Sequence, residues 1–238
     1  MQCTVVIPTF RDARISQAID SIASQKNIQL EVVIVDGANE PAAFQSLPSY
    51  PFPITFIHEK DNGVYDAMNK GISKAQGTWI YILGSDDILA NENSLSNLIS
   101  RGAQADLVFG NVENTGLSHS ATTKIHIPTF PNGMIWKHTL HQQGVLYRRA
   151  LFQERNFNTD YKILGDYEFH FHLKNKNVKV EYVNETVAQC DANGLSKRYV
   201  WKLYAEEIRL KNEYLNAVQM FVVVPLVVAK YAFKKLTK

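Results

Sequence analysis

The sequence predicts an α/β protein in which helices flank a mainly parallel, Rossmann-like central sheet. Short β-branched runs with little alternation indicate strands that are covered on both faces. Stretches with apolar residues at helical spacing lie between these runs, and this order is typical of a parallel sheet. With 238 residues, of which 45% are hydrophobic and 20% charged, the chain is long enough for one large domain with a sizeable core.

The first ninety residues supply most of this pattern. The predicted strands are residues 2–8 (QCTVVIP), 30–36 (LEVVIVD), 54–57 (ITFI) and 79–83 (WIYIL). The predicted helices are residues 12–25 and 65–75. In the first helix, Ile15, Ile19 and Ile22 recur at helical spacing. Strand and helix therefore alternate from the first residues onward.

The pattern loosens after about residue 110. Residues 111–143 contain Gly, Ser, Thr, His and Pro scattered among few apolar residues, which indicates an inserted or lid-like segment. Regular structure is predicted again at residues 143–152, 166–173 (start of a helix), 178–183 (strand) and 200–215 (amphipathic helix).

The C-terminal tail is apolar and then basic. Residues 217–229 are nearly all apolar, but they are fewer than the 20 or so that a bilayer span needs, and Pro225 interrupts them. Four lysines follow among the last nine residues. Residues 217–238 are therefore expected to lie at an anionic membrane surface. The alternative is a helix that packs on the core or forms a dimer.

The cysteines indicate a reducing compartment. Cys3 and Cys190 are far apart in the chain, and neither has the neighbouring His or Cys residues of a zinc site. The N-terminus does not resemble a signal peptide. We expect two buried thiols and a cytoplasmic protein, peripheral on the inner face of the cell membrane.

Carboxylates follow two of the predicted strands. Asp36 ends one strand, and Asp86 and Asp87 follow another, after the small residues Gly84 and Ser85. An exposed turn or a helix cap would also explain such acids. In parallel sheets, however, ligands bind beyond the carboxyl ends of the strands. Clustered carboxylates there suit Mg²⁺ or Mn²⁺ bound together with substrate phosphates.

Two common phosphate-binding motifs are missing from the sequence. There is no Walker-type loop and no G-x-G-x-x-G after the first strand. The missing motifs argue against ordinary NTPases and dehydrogenases. A metal ion would therefore have to neutralise the phosphates.

In order and spacing, six segments resemble a family 2 glycosyltransferase of the GT-A fold. They are residues 5–10 (VVIPTF), 32–38 (VVIVDGA), 59–71 (EKDNGVYDAMNKG), 77–87 (GTWIYILGSDD), 141–149 (HQQGVLYRR) and 165–169 (GDYEF). The resemblance implies a GT-A domain at residues 1–198 and a helical region at 199–238. Within the domain, residues 1–110 would bind the nucleotide and 111–198 the acceptor.

The resemblance also implies roles for the acids. Asp36 would bind the uracil or ribose of a nucleotide sugar, Asp86 the ribose region, and Asp87 a divalent metal on the diphosphate. Asp166 would be the base that takes the acceptor proton in an inverting transfer. The family's acidic motifs have an acid where this chain has Gly84 and Gly165. A helix cap is the alternative for Asp166, and Glu168 is a second candidate for the base.

Further site residues follow from the same resemblance. Those expected near the nucleotide sugar are Thr9, Arg11, Lys60, Asn62 and Gly63, while Asp66 and Asn69 are either donor contacts or a solvated helix face. Those expected in the donor or acceptor pocket are His141, Gln142, Glu168 and Ser196.

The expected reaction is a metal-dependent transfer of one sugar, since the Gln-x-x-Arg-Trp motif of processive members is missing. The expected partners are a nucleotide-sugar donor, a glycan or lipid-linked acceptor, the membrane surface and, as an open alternative, a second subunit. Nucleic acid is not among them. Two other functions stay open at this point: a sugar-phosphate nucleotidyltransferase and a non-catalytic glycan or membrane adaptor.

Overall fold

A computed structural model describes residues 1–38, 48–115, 124–191 and 200–236. The strands in these ranges are β1 (Cys3–Thr9), β2 (Leu30–Asp36), β3 (Ile54–His58), β4 (Trp79–Ile82), β5 (Ile88–Leu89), β6 (Leu107–Thr115), β7 (Lys124–His126), β8 (Val145–Arg148) and β9 (Val180–Asp191). The helices are α1 (Ile15–Ala23), α2 (Val64–Lys74), α3 (Ser94–Arg101), α4 (Ala150–Glu154), α5 (Gly165–Asn175), α6 (Trp201–Tyr214) and α7 (Ala217–Leu236).

The N-terminal half of the sheet is parallel, with the strand order β3-β2-β1-β4. All seven residues of β1 and all seven of β2 are buried, as expected for strands with helices on both faces. The register places Thr9 beside Asp36, and Asp36 beside His58. The carboxyl ends of these strands therefore meet at one edge of the sheet, where ligands bind in α/β folds.

Alternate residues of β1 divide the core between the two faces of the sheet. Val5 and Ile7 pack in one apolar cluster with the buried side of α1, and Val6 packs in another with α2. The α1 residues are Ile15, Ala18, Ile19 and Ile22, and the α2 residues include Tyr65, Met68 and Ile72. Full burial of an isoleucine side chain contributes about 1.5–3 kcal/mol. The predicted helices thus hold the sheet from both sides.

The C-terminal half of the sheet is mixed. β8 pairs antiparallel with both β4 and β6, and β9 runs parallel to β6. β9 is longer than the predicted strand and extends to Asp191. The predicted α/β fold with its parallel strands and flanking helices is confirmed. The antiparallel strands are an addition, and β5, β7 and β8 are too short to show a periodic pattern.

The segment predicted as an insertion is partly regular. β6 continues into it as far as Thr115, and β7 pairs with β6. Residues 127–141 contain no further helix or strand, yet Phe130, Met134 and Leu140 are buried in the core. These anchors hold the chain that leads to residues 138–143 beside α5.

Packing and hydrogen bonds fix the start of α5. Phe169 stacks on Phe152 at 5.1 Å between ring centroids and contacts Phe157 at 4.9 Å. The carboxylate of Glu206 in α6 accepts three backbone N–H groups from the turn before α5, at 2.8–3.0 Å, from Lys162, Ile163 and Leu164. The first turn of α5, which contains Asp166, is thus held by both the core and α6.

The tail forms one helix of 20 residues, α7, that continues through Pro225. The expectation that Pro225 interrupts the segment was therefore wrong. The helix is long and apolar enough to cross a membrane by length and composition, and only 11% of its most apolar window is buried. Val223 and Val227 pack against Tyr204 of α6. The opposite side is apolar but exposed, with Val218 78% and Phe221 84% accessible.

Candidate active site

A pocket of about 220 Å³ lies at the carboxyl end of the parallel strands. Its wall contains the residues that follow β4, the first turns of α2 and α5, the end of β9, and residues 138–143. Four carboxylates line it: Asp86, Asp87, Asp166 and Asp191. The edge of the sheet that was predicted to bind a ligand thus borders a strongly acidic cavity.

The pocket brings together five of the predicted site residues: Asp86, Asp87, His141, Gln142 and Asp166. The predicted residues outside its wall are Thr9, Arg11, Asp36, Lys60, Asn62, Gly63, Asp66, Asn69 and Glu168. Ser196 lies outside the described residues.

Gly84 allows the two adjacent acids to approach the backbone. A Cβ atom at this position would lie 2.4 Å from Oδ2 of Asp87 and 2.9 Å from Oδ1 of Asp86. The N–H of Asp87 donates to the Gly84 carbonyl at 3.1 Å, which closes the turn. Both carboxylates therefore fold back over Gly84. An acid at this position, as in the resembling family, would have to displace them.

Asp87 is the more buried of the two acids, at 4% exposure. Burial, and secondarily the charge of Asp86, raise the pKa of Asp87 to about 7. Its Oδ1 accepts the N–H of Asp191 at 3.3 Å. None of the ion pairs formed among the described residues includes Asp87. Its charge is therefore available to a cation that enters the pocket.

Arg14 holds the neighbouring acids. Its Nη2 lies 2.7 Å from Oδ2 of Asp12 and 3.4 Å from Oδ2 of Asp86, and its Nη1 lies 3.0 Å from Oδ2 of Asp191. Hydrogen bonding to Arg14 lowers the pKa of Asp12. The guanidinium thus compensates Asp86 and Asp191 but not Asp87. The two adjacent acids are chemically distinct.

Asp36 lies at the end of β2 and is 5% exposed. Its Oδ1 accepts the N–H of Ala38 at 3.1 Å. Its Oδ2 is buried and accepts no hydrogen bond from the part of the chain that the structure describes, and Nδ1 of His58 is 3.5 Å away. A buried carboxylate oxygen without a donor is costly. This atom therefore fits a ligand that supplies an N–H or O–H group.

The loop at residues 60–63 lies next to Asp36. A Cβ atom on Gly37 would overlap the carboxylate of Asp61, and Asp61 in turn accepts the N–H of Gly63 at 2.9 Å. Nζ of Lys162 donates to the carbonyl of Asn62 at 2.8 Å. Lys162 also lines the pocket, so it connects this loop to the cavity.

The other residues predicted to lie near the nucleotide are either exposed or have contacts within the protein. Thr9 is 6% exposed and its Oγ1 accepts the N–H of Asp12 at 3.4 Å, whereas Arg11 is exposed. Lys60 is exposed on the loop. Asp66 accepts the N–H of Asn62 at 2.9 Å at the start of α2.

Asn69 makes structural contacts that the sequence did not predict. Its Nδ2 donates to the carbonyl of Phe157 at 2.8 Å, and its Oδ1 accepts the N–H of Phe157 at 3.1 Å. Both ends of the amide are thus used within the protein. Asn69 joins α2 to the segment before α5.

Glu168 does not reach the pocket. It is fully buried, and its Oε1 accepts from Nη2 of Arg155 at 2.6 Å and from the hydroxyl of Tyr214. Burial raises its pKa, although Arg155 and Tyr214 oppose this shift. Residues two apart on a helix point in directions about 200° apart. Asp166 faces the pocket, so Glu168 faces the core, and the expectation that it lies in the pocket was wrong.

Asp166 lies in the first turn of α5 and lines the pocket. Its Oδ1 is 2.9 Å from the hydroxyl of Tyr65, and its Oδ2 is 3.8 Å from Nδ1 of His138. The same hydroxyl lies 2.8 Å from the Ile163 carbonyl, but the charged carboxylate is the stronger acceptor for its one proton. A Cβ atom on Gly165 would lie 2.8 Å from the Tyr65 ring. An acid at position 165 would therefore push away the ring that holds Asp166.

The pocket wall also contains a buried amide, that of Gln142. Gln142 is 5% exposed, and neither its Oε1 nor its Nε2 has a hydrogen-bond partner among the described residues. His141 precedes Gln142 in the chain, and its ring centroid lies 5.9 Å from that of His126. Because a buried amide without partners costs free energy, Gln142 fits a ligand with both donors and acceptors, such as a sugar.

A metal site made by the protein alone is not found. No group of three or more His, Cys, Asp and Glu side chains in the described ranges is arranged to hold a metal ion. The uncompensated carboxylate of Asp87 fits a hard divalent cation that takes most of its ligands from phosphates and water. The prediction of two buried thiols is confirmed for Cys3 and Cys190, which are 0% and 3% exposed.

Sequence reasoning missed several pocket residues, namely Tyr65, His138, Gln143, Lys162 and Asp191, and it also missed Arg14 beside them. Tyr65 was assigned only to a predicted helix, and His138 only to the inserted segment. Neither residue is near Asp166 in the chain. The one signal available was the position of Tyr65 in the first turn of a helix that follows a predicted binding loop.

Known proteins resemble this chain in sequence and in fold. The sequence model of the family described as Glycosyl transferase family 2 matches residues 4–178 of this chain. The PGL/p-HBAD biosynthesis glycosyltransferase of Mycobacterium bovis is 29% identical over 218 residues, which cover 86% of this chain and 83% of that protein. The succinoglycan biosynthesis protein ExoO of Rhizobium meliloti is 26% identical over 168 residues, which cover 64% of this chain and 47% of that protein.

Solved structures share the fold. S. aureus TarS in complex with UDP superposes with a TM-score of 0.67 at 16% identity, over 96% of this chain and 71% of that chain. The mannosyltransferase PcManGT from Pyrobaculum calidifontis, in complex with GDP-Man and Mn²⁺, superposes with a TM-score of 0.62 at 18% identity, over 97% and 73%. The family match over most of the sequence and these shared folds confirm the resemblance: the chain belongs to glycosyltransferase family 2 and has a GT-A-like fold.

Proposed function

We propose that this glycosyltransferase transfers one sugar from a UDP-sugar to a hydroxyl group of a glycan or lipid-linked oligosaccharide, with inversion and with a divalent metal. The observation that carries the proposal is that Asp86, Asp87 and Asp166 line one pocket. The reaction needs charge compensation for a departing diphosphate and a base for the acceptor hydroxyl. Asp87 and Asp166 suit these two tasks.

The nucleoside is proposed to bind beside Asp36, outside the pocket. The pocket, at about 220 Å³, is smaller than the 300–1,000 Å³ usual for ligand sites, so a whole nucleotide sugar must extend beyond it. The unpartnered Oδ2 of Asp36 suits the N–H of uracil or a ribose hydroxyl. Among proteins that share this fold, TarS is bound to UDP and PcManGT to GDP-Man. The fold therefore supports a nucleoside diphosphate sugar as donor, and the donor panel below tests uracil as the base.

Asp87 would hold Mn²⁺ or Mg²⁺, hard cations that bind carboxylate and phosphate oxygens. The bound metal would supply compensation for the charge that develops on the departing diphosphate. The Mn²⁺ in PcManGT supports this assignment. Asp86, which pairs with Arg14 at 3.4 Å, is left to face the ribose region.

Asp166 is proposed as the base. Its carboxylate accepts the proton of the acceptor hydroxyl as that oxygen forms a bond to the anomeric carbon. The bond from this carbon to the diphosphate oxygen breaks, and the nucleoside diphosphate leaves with the electron pair. Attack from the face opposite the leaving group inverts the anomeric centre. Gln142 and His141 are proposed to bind sugar hydroxyls in the same pocket.

The C-terminal helix is proposed to place the enzyme on the cytoplasmic face of the membrane. The exposed side of α7 presents Val218, Phe221, Leu226 and Phe233, and its last turn contains Lys234 and Lys235. Apolar residues together with cations favour an anionic bilayer surface. Such a position suits a lipid-linked acceptor.

A donor panel tests the reaction. Purified protein is incubated with UDP-, GDP- and dTDP-sugars, with Mn²⁺ or Mg²⁺, and released nucleoside diphosphate is measured. We expect release from a UDP-sugar only with metal, and little release by Asp87→Ala. Release that is independent of metal, or equal in Asp87→Ala, would contradict the metal assignment. Pyrophosphate release from a nucleoside triphosphate and a sugar phosphate would instead indicate a nucleotidyltransferase.

A further inference from the structure

A chain of buried polar groups runs from Asp166 into the core. Nδ1 of His138 lies 3.8 Å from Oδ2 of Asp166, and Nε2 of His138 lies 3.0 Å from Nδ1 of His170. Nε2 of His170 lies 2.7 Å from the hydroxyl of Tyr147. The three rings come from different segments: residues 127–141, α5 and β8. They were not predicted as site residues.

Both histidines are neutral in this environment. His170 is fully buried, and burial lowers its pKa well below the ordinary value. Burial also lowers the pKa of His138, although the charge of Asp166 opposes this shift. The Tyr147 ring is fully buried, which raises the pKa of its hydroxyl, so this group keeps its proton. Each histidine therefore has one N–H donor and one acceptor nitrogen.

The hydrogen bonds of this chain can run in either direction between Tyr147 and Asp166, and electrostatics favours one of the two. If the Tyr147 hydroxyl donates to Nε2 of His170, then Nδ1 of His170 carries the proton and donates to Nε2 of His138. The proton of His138 is then on Nδ1 and faces the Asp166 carboxylate. In the reverse direction, an Nδ1 lone pair would face the carboxylate, and the Tyr147 hydroxyl would have no acceptor among the described residues. The first direction is therefore favoured.

We infer that His138 is a positioning residue for Asp166, with the direction of its N–H group set by His170 and Tyr147. Oδ2 of Asp166 faces the His138 N–H while the Tyr65 hydroxyl binds Oδ1. At 3.8 Å the His138 contact is longer than a hydrogen bond, and contacts of this kind shorten when substrate binds. This inference rests on the proposed role of Asp166 as the base.

The chain orients the base and does not conduct its proton away. It ends at the Tyr147 hydroxyl, in a residue with no solvent exposure, so a proton passed inward would have no exit. The rings are also held in place, since His138 stacks on Tyr167 at 4.6 Å and His170 stacks on Tyr147 at 5.9 Å between centroids. A His138 N–H group of fixed direction holds the Asp166 carboxylate in place, so that one lone pair of this base stays directed at the acceptor hydroxyl.

The tautomers can be observed without substrate. Protein labelled with ¹⁵N-histidine is studied by long-range ¹H–¹⁵N NMR at pH 7. We expect His138 and His170 both to be neutral with the proton on Nδ1, whereas neutral histidine in water carries it mainly on Nε2. His138→Phe removes one of the two expected Nδ1–H signals and Tyr147→Phe shifts the other, which assigns the first to His138 and the second to His170. An Nε2–H tautomer of either residue, or a charged His138, would overturn the inference.

Kinetics then separate positioning from folding. His138→Phe keeps the stacking on Tyr167 but removes the donor, and we expect kcat to fall about 10-fold or more while KM for the nucleotide sugar changes less than about 2-fold. His138→Asn retains an N–H near the position of Nδ1, and we expect it to recover part of the loss. Equal kcat in His138→Phe and the wild type, or equal losses in the Phe and Asn variants, would contradict the positioning role.

Asp166→Asn, measured in parallel, shows which proposal fails. Turnover by Asp166→Asn at the wild-type rate would overturn the proposed base itself. An inactive Asp166→Asn together with a fully active His138→Phe would overturn only the positioning role.

Discussion

The hydroxyl of Tyr65 lies 2.9 Å from Oδ1 of Asp166, although the two residues are 101 positions apart in the chain. The Tyr65 ring also packs against the backbone of Gly165. The first turns of α2 and α5 are therefore held face to face at the pocket. The orientation of the proposed base depends on a residue from the N-terminal half of the chain.

Tyr65→Phe should reduce turnover without unfolding the protein. The variant keeps the ring against Gly165 but removes the donor to Asp166, and we expect kcat to fall about 10-fold. Tyr161→Phe is the matched control, because Tyr161 is also buried and its hydroxyl donates to Glu213 at 2.7 Å, outside the pocket. Steady-state kinetics check both. Equal losses in the two variants would show that the effect is a general loss of a buried hydrogen bond.

Side chains at position 84 should weaken metal binding. A Cβ atom there would lie 2.4 Å from Oδ2 of Asp87, so Gly84→Ala displaces the proposed ligand. We expect Gly84→Asp to lose metal-dependent activity as well, even though an acid is usual in the family at this position. Ser85→Ala, in the same turn, is the control. Titration of activity with Mn²⁺ measures the effect, and tighter binding by Gly84→Asp would contradict it.

Asp87→Asn should stabilise the metal-free protein at alkaline pH. The raised pKa of Asp87, about 7, means that the folded protein holds a proton that the unfolded chain releases near pH 4. Stability from this group is therefore complete below about pH 4 and is lost as the pH rises through about 7. We expect Asp87→Asn to raise Tm by about 3–8 °C at pH 8 and to change it little at pH 4.

Calorimetry with a chelator present measures this difference, and Asp160→Asn, at an exposed acid outside the pocket, should show no such pH dependence. Added Mn²⁺ and UDP should raise the Tm of the wild type more than that of Asp87→Asn. A lower Tm of metal-free Asp87→Asn at pH 8 would contradict the account.

Asn69→Ala should affect stability rather than substrate binding. The variant removes two hydrogen bonds to the Phe157 backbone, and we expect a loss of about 2–3 kcal/mol in the free energy of unfolding. KM for the donor should change less than about 2-fold. Urea unfolding and kinetics test both statements. A large rise in KM with unchanged stability would instead support the predicted donor contact.

The exposed face of α7 should control membrane binding. Phe221→Glu, at 84% exposure, should reduce co-sedimentation with vesicles that contain anionic lipid, because it places a charge on the apolar face. Phe56→Glu, at 51% exposure on β3, is the matched control elsewhere on the surface. Unchanged partitioning of Phe221→Glu and of a variant that lacks residues 217–238, together with dimers that depend on α7, would indicate a subunit interface instead.

The acids at the strand ends were predictable because their signal is local. A buried β-branched run followed by an acid places that acid at the carboxyl edge of a parallel sheet. Asp36, Asp86 and Asp87 all occur there. The parallel half of the sheet was predictable for the same reason, since its strands are local β-branched or apolar runs and the helices between them are long enough to show their period.

The contacts around Asp166 were not predictable because they join distant segments. Tyr65, His138 and Tyr147 reach this part of the molecule only through the packing of α2, α5 and β8. The error at Glu168 had a local cause that helix geometry could have corrected, because Asp166 and Glu168 cannot face the same side of α5. For α7, the neighbours of Pro225 in the helix outweigh the cost of one missing hydrogen bond.

The most direct test of the central claim measures binding and turnover in the same variant, Asp166→Asn. Calorimetry with UDP and Mn²⁺ reports the donor site, and release of UDP from the sugar donor in the presence of acceptor reports the reaction. We predict that UDP affinity stays within about 3-fold of the wild type while turnover falls about 100-fold or more. Turnover near the wild-type rate by a variant that still binds UDP would contradict the assignment of Asp166 as the base.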